Sequence, residues 1–194
     1  MKIVAVSQRV DHFPERNETR DALDQRLVTF LTICGYVPVP IPNALGVTIG
    51  DWLNAVKPAA LILSGGNDIG QSFQRDETEH ALITNAQERQ LPLLGICRGM
   101  QMIAHWAGTD LHPIQGHLRT RHRLFGMITC NVNSYHKFGL TDCPKGFEVL
   151  ARSEDGEIEA IRHQSLFWEG WMWHPEREPN FSEYDIHRLK VLFS

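Results

Sequence analysis

Apolar and polar positions follow each other along the chain in two different patterns. Apolar residues that recur every three or four positions predict helices, and short unbroken apolar runs predict buried strands. Up to Gly108 these patterns predict strands at 2–6, 59–63 and 91–96, an extended segment at 37–40, and helices at 17–35, 49–56, 76–90 and 98–107. Regular alternation of strands and helices is typical of a parallel sheet with helices on both faces.

Beyond Gly108 the helical pattern gives way to short strands separated by turns. Strands are predicted at 127–132, 147–151, 158–161 and 168–173, followed by a closing helix at 182–193. No linker, internal repeat or low-complexity segment interrupts the chain. The expected architecture is therefore one α/β domain over 1–194, a three-layer sandwich around a mostly parallel central sheet.

Composition and charge exclude several classes of protein. Hydrophobic residues make up 42% of the 194 residues, with 15 Gly and 10 Pro, which excludes a disordered or collagen-like chain. The 19 basic and 23 acidic residues give a net charge of −4, so nucleic acid is not an expected partner. No apolar run approaches the ~18 residues of a membrane span, so no membrane association is expected. Residues 1–11 lack the features of a signal peptide, and the expected location is the cytoplasm.

One of the four cysteines lies where a nucleophile is expected. The segment Gly95-Ile96-Cys97-Arg98-Gly99 joins a predicted buried strand to a predicted helix, as the G-x-S-x-G nucleophile elbow does. Such a sharp turn needs small neighbours and places its central side chain above the carboxyl edge of the sheet, where ligands bind in parallel α/β folds. The start of the following helix favours a thiolate at Cys97. The same residues are also compatible with a buried structural cysteine beside incidental glycines.

Two further segments supply groups that a cysteine nucleophile requires. His174 and Glu176 are two residues apart on an extended stretch, so both side chains project to the same side, as a base and its orienting carboxylate do. Gly65 and Gly66 end an apolar strand, where a backbone N–H can hold an oxyanion together with the N–H of Arg98. Ordinary surface turns are the alternative interpretation of both segments.

These segments, taken in order, resemble the class I glutamine amidotransferase superfamily, and within it the γ-glutamyl hydrolase branch, cysteine peptidase family C26. The resemblance covers nearly the whole chain. It is carried by Ser64-Gly65-Gly66-Asn67-Asp68, Arg75-Asp76, Pro92 to Gln101, Val132-Asn133-Ser134-Tyr135-His136, Asp155 to Ala160 and His174-Pro175-Glu176. One departure is Lys137, at a position where the family often has a second histidine.

The resemblance implies a flavodoxin-like fold with a catalytic triad and no cofactor. It implies that Cys97 is the nucleophile, that His174 is the general base and acid, and that Glu176 orients His174. The oxyanion and the γ-glutamyl group are then expected to contact Gly65, Gly66, Asn67, Arg98, Gln101, Ser134, Tyr135 and His136. The implied reaction is hydrolysis of a γ-glutamyl amide through a thioester on Cys97, which releases glutamate.

Three functions agree with this resemblance. The first is a free-standing hydrolase of a small γ-glutamyl amide, including amides of the γ-glutamyl-GABA type, which the lack of an attached synthase domain favours. The second is the glutaminase subunit of a glutamine amidotransferase, which needs a separate synthase partner. The third is a non-catalytic binding or regulatory member of the fold, against which the intact Cys97, His174 and Glu176 argue.

A segment rich in histidine and arginine follows the predicted nucleophile helix. Because arginine suits bidentate phosphate contacts, this segment is hypothesised to hold a phosphorylated leaving group. The residues concerned are His117, Arg119, Arg121 and Arg123. The alternative is a solvated loop of mixed charge. The spacing of His112, His117 and His122 is not that of a known ligand set, so no metal is expected.

Overall fold

The computed structural model describes residues 1–194. Its strands are β1 (Lys2–Val6), β2 (Arg9–Phe13), β3 (Glu18–Ala22), β4 (Tyr36–Pro40), β5 (Ala60–Leu63), β6 (Leu93–Ile96), β7 (Leu111–Pro113), β8 (Leu118–Arg123), β9 (Phe125–Gly126), β10 (Asn131–Tyr135), β11 (Phe138–Leu140), β12 (Phe147–Arg152), β13 (Ile158–His163) and β14 (Trp168–Trp171). Its α-helices are α1 (Gln25–Ile33), α2 (Ile49–Val56), α3 (Phe73–Arg89), α4 (Arg98–Trp106) and α5 (Glu183–Leu192). No helix combines the length and the apolar character that crossing a bilayer requires.

Eight of the strands form one central sheet. From edge to edge their order is β4-β1-β5-β6-β14-β13-β12-β9. The strands from β4 to β14 are parallel, whereas β13, β12 and β9 run antiparallel to their neighbours. The other strands form three small sheets, β2 with β3, β7 with β11 and β8 with β10. Because β5, β6 and β14 are parallel neighbours, the loops after their carboxyl ends meet at one edge of the sheet.

Helices cover both faces of the central sheet, which confirms the expected three-layer sandwich. Alternate residues of a strand point to opposite faces. In β1, Val4 and Val6 pack in the cluster that includes α1 and α5, whereas Ala5 packs in the cluster that includes α2, α3 and α4. Strands β5 and β6 are buried at every position. Burial on both faces explains why these strands are unbroken apolar runs in the sequence.

The predicted helix at 17–35 is wrong in its first part. Strand β3, which pairs with β2 in a hairpin, occupies this part, and α1 begins only at Gln25. Asn17 turns the hairpin in a left-handed conformation with a φ of 50°. Asp24 caps α1, because its side chain accepts a hydrogen bond from the N–H of Arg26 at 2.9 Å. The residues before this cap carry no apolar repeat, so only the second part of the predicted segment had a helical pattern.

The polar segment after α4 is a strand, not a loop. Strand β8 pairs antiparallel with β10, and β10 itself starts at Asn131, four residues later than the predicted strand at 127–132. Every residue of β8 is exposed or only partly buried. A strand that buries neither face lacks the apolar alternation by which a strand is recognised in a sequence.

The two edges of the central sheet are β4 and β9. Strand β4 contains Pro38 and Pro40, and β9 has only two residues. Alternate residues of a parallel strand direct their N–H groups inward, and the N–H of Ile41 donates to the carbonyl oxygen of Val6 at 2.9 Å. Both prolines therefore occupy positions whose N–H would point away from the sheet, where proline is tolerated.

Candidate active site

Cys97 lies at the turn between β6 and α4. Its φ and ψ are 51° and −107°, a conformation that costs free energy for a residue with a side chain. The N–H of Cys97 donates to the carbonyl oxygen of Trp171 at 2.7 Å, which ties the turn to β14. A Cβ on Gly99 would overlap the carbonyl oxygen of Leu63, so only glycine allows α4 to approach β5 this closely. This is the geometry that a nucleophile elbow requires.

His174 and Glu176 follow β14, the strand beside β6, and both side chains are buried. His174 Nδ1 lies 2.6 Å from Glu176 Oε1, so the Nδ1 proton is donated to the carboxylate and Nε2 is left for a second partner. Burial by itself lowers the pKa of His174, but the charges of Cys97 and Glu176 and hydrogen bonds to both raise it to about 9. The three side chains therefore act on one another within a single buried unit.

The backbone of His174 is held by Asn133, a residue of β10. The N–H of His174 donates to Asn133 Oδ1 at 3.0 Å, and Asn133 Nδ2 donates to the carbonyl oxygen of His174 at 2.8 Å. Asn133 belongs to the motif at 132–136, but nothing in the sequence indicates this contact. The pair of hydrogen bonds fixes the end of β14 relative to the small sheet of β8 and β10.

The side chain of Arg75 is fully buried and binds the backbone of the loop that follows β5. Its guanidinium donates to the carbonyl oxygens of Ser64 at 2.6 Å and Gly65 at 3.1 Å, and also to that of Gly66. Its Nε donates to Glu79 at 3.0 Å. The sequence showed Arg75 only as part of a family motif, and its contact with the loop is visible only in the fold.

This arrangement turns one backbone N–H away from Arg75. The C=O and N–H of a trans peptide point in opposite directions, so the carbonyl of Gly65 that faces Arg75 turns the N–H of Gly66 the other way. The N–H groups of Gly66 and Arg98 donate to no other backbone group. The Arg98 guanidinium is bound to Asp76 and Glu79, so Arg98 can offer its backbone N–H to a ligand but not its charge.

A cavity of about 140 Å³ opens at Cys97. It brings together most of the residues predicted for catalysis and γ-glutamyl binding. These are Gly66, Asn67, Cys97, Arg98, Gln101, Tyr135, His136 and His174, and Asp68, Lys137 and Arg177 complete the lining. The cavity is thus small, polar and closed on one side by the His174 ring.

Four predicted binding residues bond to other parts of the chain. Gln101 Nε2 donates to the carbonyl oxygen of Phe138 at 3.0 Å, and His136 Nδ1 lies 3.0 Å from the same oxygen.

Ser134 and Asn67 are the other two. Ser134 is fully buried, and its hydroxyl donates to the carbonyl oxygen of His117 at 2.6 Å. The Asn67 amide bonds the N–H of Val10 at 2.7 Å and its carbonyl oxygen at 2.9 Å. Asn67 therefore attaches the β2–β3 hairpin to the loop that follows β5, while still lining the cavity with its other atoms.

A second cavity, of about 300 Å³, lies on the other side of His174. Arg9 and Asp11 of the hairpin line one wall, and Gly66, His174 and Arg177 line both cavities. The two cavities therefore meet at the catalytic candidate His174. The sequence does not predict this second cavity, because β3, one strand of the hairpin that lines it, lies where a helix is predicted.

The basic segment does not reach either cavity. His117 is buried against His136 and Asp155, and Arg121 pairs with Glu178 at 2.9 Å. Arg123 lies over the ring of Phe125 at 5.6 Å, and Arg119 is exposed at the surface. None of these four residues lines the cavity at Cys97, although the side chain of His117 contacts His136, which does.

Gly65→Ala is expected to reduce activity strongly while leaving the protein folded. A Cβ at this position would lie 2.6 Å from Cε1 of His174, so the ring must move away from Cys97. The backbone of Gly65 is not in the left-handed region, so alanine brings no conformational strain. Because small displacements of a catalytic group cost about 10²-fold, we expect a loss of this order in kcat. Unchanged kcat with unchanged Tm would contradict the placement of the His174 ring.

A strained cysteine at a strand-to-helix turn, beside a buried His–Glu pair on a parallel α/β sheet, defines a class of thiol-dependent amide-processing enzymes. The sequence profile described as "Glutamine amidotransferase class-I" matches residues 21–192. The chain belongs to the class-I glutamine amidotransferase family, which confirms the resemblance drawn from the motifs. Family membership supports an amidohydrolase-type enzyme.

Individual relatives and a solved structure agree with this family. The chain is 34% identical over 161 residues to "Gamma-glutamyl-CDP-amidate hydrolase" of Campylobacter jejuni, covering 80% of this chain and 78% of that protein. It is 30% identical over 158 residues to the glutamine-hydrolysing subunit of GMP synthase from Thermococcus kodakarensis, covering 76% of this chain and 80% of that protein. A solved structure described as a GMP synthase subunit, from Thermoplasma acidophilum, superposes with a TM-score of 0.78 at 19% identity, covering 100% and 92% of the two chains, and confirms the fold.

Proposed function

We propose that the protein is a cysteine hydrolase that cleaves a γ-glutamyl amide and releases glutamate, and that its substrate is γ-glutamyl-CDP-amidate. The observation that carries this proposal is the unit of Cys97, His174 and Glu176 placed between two cavities. One cavity suits the γ-glutamyl group, and the other suits a larger leaving group. The 34% identity to a hydrolase of this substrate supports the particular choice.

The first half of the proposed reaction forms a thioester. The Cys97 thiolate attacks the γ-carbonyl carbon, and the negative charge that develops on the carbonyl oxygen is held by the N–H groups of Gly66 and Arg98. The imidazolium of His174 then gives its Nε2 proton to the leaving nitrogen as the C–N bond breaks. Glu176 holds the Nδ1 proton throughout and stabilises the positive ring.

The second half releases glutamate. A water molecule gives a proton to the now neutral His174 and attacks the thioester carbon. The C–S bond breaks and gives the γ-carboxyl group of glutamate, the Cys97 thiolate and a protonated His174, and the carboxyl group then releases its remaining proton to solvent. In this proposal the α-amino and α-carboxylate groups of the substrate contact the cavity wall formed by Gln101 and Tyr135.

The second cavity is the proposed site of the leaving group. It begins at His174, the residue that protonates the leaving nitrogen, and extends to the hairpin, where Arg9 is half-exposed. Arg177 lies at the junction of the two cavities and over the ring of Tyr135 at 4.7 Å. Arg9 Nη2 lies 2.6 Å from Asp11 Oδ1, and this exposed pair has to open for Arg9 to bind a phosphate oxygen. Arginines at these two positions suit the phosphates of a cytidine diphosphate amidate, because arginine binds phosphate oxygens in a bidentate manner.

Glutamate release by the purified protein alone tests the proposed substrate. We expect kcat/KM for γ-glutamyl-CDP-amidate to exceed that for glutamine and for γ-glutamyl-GABA by on the order of 10²-fold, with Cys97→Ala as the blank. Equal or faster turnover of γ-glutamyl-GABA would assign the γ-glutamyl-GABA type of hydrolase instead. No release from any of the three would contradict a free-standing hydrolase.

Arg9→Ala is expected to raise KM for γ-glutamyl-CDP-amidate roughly tenfold, because one charge-assisted hydrogen bond to phosphate is lost. KM for glutamine should change little, because ammonia does not extend into the second cavity. Steady-state kinetics with both substrates separate the two effects. Arg121→Ala is the matched control on the basic segment. If Arg121→Ala raises KM and Arg9→Ala does not, the leaving group binds at residues 117–123.

The rate is expected to fall as the pH rises through about 9. At pH values below the raised pKa of His174 the imidazolium is present and can protonate the leaving nitrogen, and above it this proton is lost. Glu176→Gln removes one of the negative charges that raise this pKa, so the alkaline fall in kcat/KM should move to lower pH. Profiles of kcat/KM against pH for both proteins test this. If kcat/KM of Glu176→Gln falls at the same alkaline pH as that of the wild-type protein, a group other than His174 causes the fall.

The glutaminase component of a two-chain glutamine amidotransferase is the second candidate function. It is favoured by the 30% identity to the Thermococcus GMP synthase chain, a protein whose name states glutamine hydrolysis. This function predicts that the isolated chain hydrolyses glutamine slowly, and much faster after a synthase partner is added. Glutamate release from glutamine, measured with and without such a partner, distinguishes it from the free-standing hydrolase.

A further inference from the structure

Three histidine rings converge on one fully buried carboxylate in the space between the small sheet of β8 and β10 and the central sheet. Glu159 of β13 has no exposed surface. Its Oε1 lies 3.2 Å from His117 Nδ1, 3.3 Å from His122 Nε2 and 3.4 Å from His136 Nε2. None of the four side chains has a part in the proposed reaction, although the residue His136 also borders the cavity at Cys97.

Two of the rings form hydrogen bonds through the nitrogen that faces away from Glu159. These bonds determine which nitrogen of each neutral ring carries the proton. His117 Nε2 lies 2.9 Å from Asp155 Oδ2, and His136 Nδ1 lies 3.0 Å from the carbonyl oxygen of Phe138. Both partners are acceptors, so each neutral ring places its single N–H there. The inner nitrogens of His117 and His136, 3.2 Å apart, then direct lone pairs toward each other and toward Glu159.

The neutral rings of His117 and His136 offer the carboxylate no donor, and no other group meets it in hydrogen-bond geometry. Both oxygens of Glu159 and His122 Nε2 are buried without a hydrogen-bond partner. A buried negative charge surrounded by lone pairs is unfavourable unless a cation occupies the space among them. An outer hydrogen bond from a histidine to a carboxylate or a backbone carbonyl is also the usual support of a metal-bound imidazole.

We propose that His117, His122, His136 and Glu159 bind one Zn²⁺ ion. For metal–ligand bonds of about 2.0–2.1 Å, a tetrahedron has edges of about 3.3–3.4 Å. Four of the six edges are given by the separations above, and at 3.2 to 3.4 Å they match this length. The ligand atoms of His117, His136 and Glu159 all lie within 4.8 Å of one another, and His122 reaches the same oxygen of Glu159. Three imidazoles and one carboxylate are a ligand set that suits Zn²⁺. Four protein ligands leave no open position for substrate, so the ion has a structural role.

The proposed ion connects the small sheet of β8 and β10 with the central sheet, and no strand pairing joins these two sheets. His122 is on β8, His136 follows β10 and Glu159 is on β13 of the central sheet. Strand β10 also carries Tyr135, which lines the cavity at Cys97, and Asn133, which holds His174. The ion would therefore fix the small sheet against the central sheet next to the active site.

Metal binding is best measured in the Cys97→Ala protein, so that the thiolate and His174 do not form a competing site. After removal of metal with a chelator, we expect one Zn²⁺ per chain by elemental analysis, and one Co²⁺ with the intense visible absorption of four-coordinate cobalt. At a free Zn²⁺ concentration about a hundred times Kd, Tm should rise by roughly 5–10 °C. No stoichiometric binding and no change in Tm would overturn the proposal and leave a proton-bridged His–Glu network.

Variants locate the site. His122→Ala and Glu159→Gln should each abolish the cobalt absorption and the zinc-dependent rise in Tm. His122 is the ligand nearest the surface, so His122→Ala is the variant that retains the fold if Glu159→Gln does not. His112→Ala is the control, because His112 pairs with Glu157 and is not part of the cluster. Binding that survives His122→Ala, or that is lost in His112→Ala alone, would overturn the proposed ligand set.

Discussion

Replacing Cys97 by serine is expected to lower the rate of glutamate release by on the order of 10⁴-fold or more, with Tm close to that of the wild-type protein. A hydroxyl is a far weaker nucleophile than a thiolate, and the unit of His174 and Glu176 is arranged for a thiolate. The strained backbone at Cys97 is unchanged by serine, so folding should not suffer. The measurement is single-turnover glutamate release, with Cys34→Ser as the matched control.

Selective labelling checks the same prediction without a substrate. Burial is the main cause that raises the pKa of Cys34 and of Cys130 to about 11, and it also raises the pKa of Cys143. These three thiols are therefore poor nucleophiles at neutral pH. A γ-glutamyl-like electrophile such as a diazo-ketone analogue of glutamine should label Cys97 alone. Equal labelling of all four thiols, or full activity in Cys97→Ser, would exclude Cys97 as the nucleophile.

Arg75→Met is expected to lower the free energy of unfolding by about 3–5 kcal/mol, the usual cost of removing one partner from a buried ion pair. The change leaves three carbonyl oxygens of the loop after β5 without their donor, and it leaves Glu79 with fewer partners. In a domain of this size the corresponding fall in Tm is roughly 6–20 °C. Thermal and urea unfolding measure it.

The same substitution is expected to reduce kcat at a temperature where the variant is still folded. Arg75 holds the preceding carbonyl and so turns the Gly66 N–H, the proposed oxyanion donor, away from itself, and loss of one oxyanion donor costs about 10²–10³-fold. Arg162→Met is the matched control. It removes an ion pair with Glu148 that is about half-exposed, and such pairs are worth less than about 1 kcal/mol. If both variants lose equal stability, the special role of Arg75 is excluded.

The elements that the sequence predicted best are strands of the central sheet and helix α2, which buries one face. Strands β1, β5 and β6 and helix α2 lie where unbroken apolar runs and a helical repeat placed them. The β2–β3 hairpin and strand β8 were missed because they bury little, so their residues carry no apolar pattern. These segments are held by contacts with residues that are distant in the sequence. One example is the pair of hydrogen bonds between the Asn67 side chain and the backbone of Val10.

The candidate site also contains residues that the sequence predicts and residues that it does not. Cys97, His174 and Glu176 were predictable because a nucleophile elbow and a base–carboxylate pair have local spacings. The roles of Arg75 and Asn133 were not, because each acts on a backbone segment far away in the sequence. The grouping of His117, His122 and His136 around Glu159 likewise depends on the pairing of β8 with β10 and on their position over β13. The spacing of these residues along the chain does not indicate that they are grouped.

The prolines of β4 and the short length of β9 also affect how copies of this protein behave when concentrated. An open sheet edge is a template on which a strand of another molecule can add, and this is a common route to aggregation. At one edge Pro38 and Pro40 remove two outward donors, and at the other the two residues of β9 offer only a short template. Both edges therefore disfavour the addition of a strand from a second copy, so the central sheet resists growth by edge-to-edge pairing.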